Sequence, residues 1–352
     1  MVKRASRRRL IALGGGACVG TFLAGCGSET TRPGLYVVEP DGAPRWIDDT
    51  VGPPAWAPDG ASLAWGDERG LRIWTRSTGD ISLVTATPMA GRPAWSPDGS
   101  AVAFLDPQSR AVQRADVASG ISTALAPISE RPDGAIRTPM VTRGGPAWSP
   151  DGALVAFICW DGFGDELCVV DADGQSREQL TSLGLAEEKS GIAARSSVTS
   201  VAWSSDSTVL AVAVQAEQQG ATSGIFRVEL DSRSGRRIST LTANAPIAWE
   251  AGEDAVIFSA RVEGRSDVYS LSAEGGNPEP LTSELPDGAR EPAVGGTGSI
   301  AAVSGARVAV LQASSPEVTY REVPGLASAA PALSNDGQLA FLALSRPIEK
   351  YP

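Results

Sequence analysis

The chain of 352 residues contains no histidine at all. This excludes Ser-His-Asp and Cys-His nucleophilic mechanisms and any zinc or iron site ligated by imidazole. Lysine is nearly missing too: between Leu35 and Ser345 the only one is Lys189, so a lysine-assisted mechanism has a single candidate. Apart from the stretch Leu10–Leu23, which is too short to span a bilayer comfortably, no apolar run is long enough to cross a membrane. Basic charge is scarce in the body of the chain. The formal net charge is −11. Lys3, Arg4, Arg7, Arg8 and Arg9 are the only charges in residues 1–25, so without that segment the value falls to −16. So acidic a body offers no electrostatic footprint for nucleic acid and is repelled by an anionic bilayer surface; most of this charge serves solubility.

What is present in abundance is one phrase. It reads Pro54-Ala55-Trp56-Ala57-Pro58-Asp59-Gly60, then Pro93-Ala94-Trp95-Ser96-Pro97-Asp98-Gly99, then Pro146-Ala147-Trp148-Ser149-Pro150-Asp151-Gly152. Weaker copies follow at Val201–Asp206, Ile247–Glu250, Pro292–Val294 and Pro331–Gly337. Counted from the tryptophan position, the copies are spaced by 39, 53, 55, 46, 45 and 39 residues. A period near 40–50 residues is about one four-stranded sheet, the mark of a β-propeller. In Pro-Asp-Gly, proline presets φ, aspartate bonds the backbone ahead and glycine accepts positive φ, so the phrase is read first as a turn and packing element. After Gly152 come the apolar runs Ala153–Ile158 and Glu166–Asp171 and a third segment, Ser176–Thr181, as successive antiparallel strands require.

The phrase, the Ala-Phe strand after it, the Leu-Cys-Val-Val-Asp strand and the closing Gln179-Leu180-Thr181 resemble the TolB-type, WD-like propeller repeat. The resemblance covers Leu35 to Ser345 and is strongest in the first three copies; Val294 and Leu333 replace tryptophan in the last two. It implies an all-β propeller of four-stranded blades. Gly34–Gly42 mirrors a third strand and Ala43–Asp48 a fourth, whereas Ala330–Asp336 and Gln338–Ser345 supply a first and a second. The two ends are therefore expected to share one blade, closing a ring of seven. TolB has six blades, so its partners are not carried over.

The start of the chain reads as delivery. Leu23-Ala24-Gly25-Cys26 resembles a bacterial lipoprotein signal, with Cys26 as the lipid-bearing residue after cleavage, and Ser6-Arg7-Arg8-Arg9-Leu10 resembles a twin-arginine export signal. The alternative is an ordinary signal peptide with an incidental cysteine. The expected organisation is a signal over 1–25, a tether over 26–33 and one propeller over 34–352, exported and lipid-anchored on the outer face of the cell membrane or in the periplasm. Cys159 and Cys168 remain in the propeller. A hairpin register that opposes them allows a disulfide in an oxidising compartment; two reduced cysteines are the competing reading.

Topology sorts the rest. First-to-second and third-to-fourth turns share one face of a propeller, and these are the tight Pro-Asp-Gly and Asp-Gly turns. Second-to-third turns and blade connections share the other, and the long insertions 127–144, 160–165, 183–197 and 216–223 all belong there. Loops carry function more often than scaffold, so this insertion-rich face is the expected recognition surface. Its candidates are Arg131, Arg137, Arg143, Trp160, Phe163, Glu187, Glu188, Lys189 and Arg195. Trp160 and Phe163 are either exposed anchors or loop packing. No catalytic residue, cofactor or metal is assigned. Asp171-Ala172-Asp173-Gly174 opens like a calcium loop, but its twelfth position is Ser182, not glutamate. The expectation is a monomeric, non-catalytic module that binds an envelope protein. The alternative is a carboxylate-dependent enzyme or binder of cell-surface carbohydrate, which would need a carboxylate pair roughly 5–10 Å apart.

Overall fold

Strand-length runs ending in Asp-Gly or Pro-Asp-Gly fold back on themselves throughout the chain. The computed structural model describes residues 32–345 except 40–41, 51, 129–144, 163, 184–195, 217–220, 251, 253, 297 and 313–314. The described residues form 28 strands. They group in fours as seven blades: residues 55–85, 90–127, 147–179, 196–239, 243–280, 290–321, and a seventh made from 327–344 together with 34–48. Within each of the first six blades the strands run antiparallel in chain order. Blades 3 and 4 are joined by a single parallel bridge, Asp165 opposite Ser197.

The seventh blade closes the ring without a covalent link. Its order is Arg45–Asp48, Gly34–Val38, Leu339–Leu344, Ala327–Leu333, with Leu35 opposite Leu342 and Val37 opposite Ala340. The expected strand sharing between the two ends is what the sheet shows. Every blade packs against the next through its first strand, including the seventh against the first.

The core lies between blades. Ile73, Val102 and Phe104 pack between blades 1 and 2, and Leu35, Leu63, Trp65 and Trp74 between blades 7 and 1. The second strand of five blades places an aromatic at one equivalent position: Trp65, Phe104, Phe157, Phe258 and Phe341, each fully buried. Burying each ring contributes roughly 2–3 kcal/mol, which is why the strand-two alternation survives where the tryptophan phrase decays.

The phrase itself has two jobs. Its tryptophan reaches into the preceding blade: the indole N–H of Trp95 donates to Ala55 O at 3.0 Å, Trp203 to Ala147 O at 3.0 Å and Trp56 to Ala332 O at 3.3 Å. Its aspartate holds the turn. In blade 2, Ser96 and Ser100 hydroxyls and the Ser100 N–H all donate to Asp98, while Ala101 N–H donates back to Ser96 Oγ. Blades 3, 4 and 7 repeat this around Asp151, Asp206 and Asp336. The Ser96 hydroxyl, then the Ser100 groups, hold Asp98 down at about 2, and the Ser204 hydroxyl does the same for Asp206.

Candidate recognition face

Strand direction settles which residues share a face. Each blade's second strand ends, and its third begins, at the end where the blade connections also lie. Asp67–Gly70, Asp106–Ala111, Trp160–Asp165, Ala216–Gly224 and Val262–Arg265 are the second-to-third turns of the first five blades. The long connections between blades 2 and 3 and between blades 3 and 4 leave from that same end. Gly34, where the chain joins the ring, also begins a third strand there. Arg32 sits over the Trp46 ring at 3.4 Å, and its carbonyl accepts the Tyr36 hydroxyl at 2.7 Å, fastening this start to the outer strand.

Of the expected contributors, Arg131, Arg137, Arg143, Phe163, Glu187, Glu188, Lys189 and Arg195 lie outside the described residues, as does Cys26. Trp160 is described and only 5% exposed, so it packs and does not stand out as a surface anchor. The reason is its place as the last residue of Leu154–Trp160, still paired with Asp165 across the hairpin.

The cysteine register departs from expectation. Cys159 lies opposite Glu166, and Cys168 opposite Phe157. The two cysteines are thus diagonal neighbours on one side of the hairpin, and in the structure they are joined by a disulfide. A diagonal pair still brings the sulfurs together because residues two apart on a strand share a face.

Charged groups on this face are tied to each other. Arg72, 12% exposed, donates to Asp48 at 2.5 Å and to Asp67 at 2.7 Å, bridging blade 7 to blade 1. Trp65 N–H and Thr50 hydroxyl add to the same carboxylates. Burial pushes Asp67 up, but Arg69 and Arg72 together hold it below the usual carboxylate range. In blade 5, Thr282 donates to Asp267 and accepts from Val268 N–H, and Arg265 donates to Asp267 and to the carbonyls of Thr282, Ser283 and Leu285. In blade 3, Thr181 links Glu166 to Leu167 N–H in the same way. The threonine of the closing Leu-Thr step is therefore a latch between outer and third strands.

The opposite face is acidic. Asp59, Asp98, Asp116, Asp151, Asp173 and Asp206 sit in its turns, while the insertion-rich face mixes Asp67, Glu263 and Asp287 with Arg69, Arg261 and Arg307.

A second polar set was missed by sequence reading. The residue before the proline position of the phrase is polar in three copies: Arg92, Ser200 and Glu291. Each stitches blades together from the first strand. Arg92 donates to Pro54 O at 2.8 Å and Pro331 O at 2.9 Å; Ser200 Oγ accepts Ile247 N–H at 3.1 Å; Glu291 accepts Ala330 N–H at 2.9 Å. Burial pushes Arg92 down to about 10, against the field of Glu291. Aligning the seven copies one residue further back would have exposed the pattern. Among the described residues, no cluster of three acidic or cysteine side chains forms a metal site, and no helix is long and apolar enough to cross a membrane.

The chain matches no protein-family model, and no curated protein matches it. Solved structures do. Oligogalacturonate lyase from Vibrio parahaemolyticus aligns with a TM-score of 0.60 at 10% identity, over 91% of this chain and 100% of that one. Putative TolB from Agrobacterium tumefaciens aligns at 0.50 and 15% identity, over 76% and 94%. TolB from Acinetobacter baumannii aligns at 0.48 and 17% identity over 84% of this chain, which spans 63% of that protein's length. With the sheet order and the interblade cores, the likenesses at TM-scores of 0.60 and 0.50 identify the fold: the chain is a seven-bladed β-propeller.

Proposed function

We propose that the chain is an exported lipoprotein, lipidated at Cys26 once residues 1–25 are removed, whose propeller is a non-catalytic protein-binding scaffold at the cell envelope. The observation that carries this reading is that the long connections and the chain's junction with the ring share one end of the blades, while the other end carries short acidic turns. A tether over 26–33 reaches at most about 29 Å, so a lipid-anchored ring keeps that mixed-charge face near the membrane, where an envelope protein is met.

The carbohydrate-active alternative needs a free carboxylate pair. The buried carboxylates Asp106, Glu166, Glu250 and Asp267 accept hydrogen bonds from Ser109 Oγ, Thr181 Oγ1, Gly252 N–H and Arg265 respectively, which weighs against it.

Affinity capture of the lipidated protein from crosslinked membranes tests the proposal. A partner that is recovered with the native chain and lost when residues 127–144 are shortened to a Gly-Ser loop is the expected result. Undiminished recovery overturns the face assignment. Release of the Cys26→Ser chain from membranes checks the anchor separately.

A further inference from the structure

Outer strands of propeller blades are open sheet edges, and proteins guard such edges with charge or proline. Six of the seven outer strands here are guarded. Arg45–Asp48 and Arg177–Gln179 are charged, Gly235–Ser239 carries Arg236 and Arg237, Ser122–Pro127 ends in proline, and Glu279–Pro280 and Ser315–Arg321 have both. Only Ile81–Thr85 of blade 1, Ile-Ser-Leu-Val-Thr, has neither.

This edge is also where apolar surface is concentrated. Ile81 is 44% exposed and Leu83 58%, and Ile121, in the adjoining turn of blade 2, is 65% exposed. These are three of the four exposed large hydrophobics among the described residues. Gly120, at φ +71°, lies so close to strand Ile81–Thr85 that a Cβ there would be 2.6 Å from Val84 O. The turn bearing Ile121 is therefore seated against the strand. Thr75 N–H donates to Asp80 O, and Ser82 lies opposite Ile73. By the alternation of an antiparallel ladder, Ile81 and Leu83 turn their amide groups outward.

We propose that the outer edge of blade 1 is a β-augmentation site, taking an extended segment of a partner protein with alternating apolar side chains and a basic flank. Main-chain bonds to Ile81 and Leu83 supply affinity, and the apolar surface of Ile81, Leu83 and Ile121 selects the side chains. The basic flank follows from Asp80, which precedes Ile81 in the chain, and from Asp116, whose N–H donates to Ile121 O. A second copy of the chain is a poor occupant. A five-residue edge is only about 17 Å long, and pairing two of them buries well under the ~1,200 Å² that a stable interface needs. An extended segment makes no such demand on area. The site stands on the rim of the ring, independent of the insertion-rich face and of the anchor.

Panning random twelve-residue peptides against the chain from residue 26, with Leu83→Lys protein as the counter-selection, tests this. Enriched peptides are expected to alternate apolar and polar residues beside a lysine or arginine. They should slow hydrogen exchange at the Ile81 and Leu83 amides at least tenfold, and lose binding at least tenfold to Leu83→Lys and to Ile121→Lys. Circular dichroism confirms that both variants remain folded. Failure to enrich any peptide, or enriched peptides indifferent to both substitutions, overturns the proposal. So does sedimentation showing native chains that pair through this edge and Leu83→Lys chains that do not, because the occupant is then a second copy.

Discussion

Arg92 and Pro331 are 239 positions apart, and the guanidinium of the first donates a 2.9 Å hydrogen bond to the carbonyl of the second. The same guanidinium holds Pro54 O at 2.8 Å, so one side chain of blade 2 grips both blade 1 and the blade that joins the chain ends. The seam is held at several points besides this: Asn335 donates to Pro58 O, and Arg76 bridges Glu39 and Asp336.

Replacing Arg92 with methionine keeps most of the packing volume but strands two carbonyls in a half-buried position. Stability should fall by about 2–3 kcal/mol, since hydrogen bonds to charged groups are the stronger kind. Urea unfolding at neutral pH measures this. An unchanged midpoint means that the clasp carries no weight.

The tryptophans of the repeated phrase are not equivalent. Trp203 donates to Ala147 O, whereas the buried indole N–H of Trp148 meets no acceptor. Trp203→Phe should therefore cost about 1 kcal/mol more than Trp148→Phe, the difference being one neutral hydrogen bond. Paired thermal melts of the two variants decide it; equal losses count against the stitching role.

Acid should loosen the blade turns within a defined window. Asp98 and Asp206 are held down at about 2 in the folded chain, below the ~3.9 of an unfolded aspartate. A depressed folded value stabilises above the unfolded value, and that contribution is lost as pH falls from about 4 to about 2. Asp98→Asn should flatten the pH dependence of unfolding across this interval and leave it unaltered above pH 5. Chemical-denaturation curves collected from pH 2 to 7 provide the comparison.

Reducing the Cys159–Cys168 bridge should lower stability by no more than roughly 2–3 kcal/mol, because the loop it closes is short. The hairpin ladder from Leu154–Asp171 to Trp160–Asp165 persists without it. Unfolding with and without reductant gives the magnitude. Alkylation of the unfolded, unreduced chain should modify neither cysteine, and labelling of both would refute the bridge.

Much of the fold was legible because its determinants are local and repeated. Pro-Asp-Gly turns, alternating strands and the matching half-blades at the two ends are all short-range patterns, and each was readable from residues such as Trp95, Asp98 and Gly99. The cysteine pairing was read with the wrong register, because the offset of a hairpin depends on how its turn closes around Asp161 and Gly162. Trp160 was ambiguous for a related reason: whether a strand-end aromatic is buried depends on what the neighbouring elements bring over it. Arg92, Ser200 and Glu291 escaped notice since their hydrogen-bond partners sit in other blades.

The sequence alone determined the repeat, the blade count and the joining of the ends, since turn chemistry and side-chain alternation act between residues close along the chain. Only the tertiary structure decided which polar groups clasp the ring, which tryptophan of the repeated phrase lacks an acceptor and which outer edge stands unguarded. Those outcomes depend on distances between blades, and packing of residues far apart in sequence sets them.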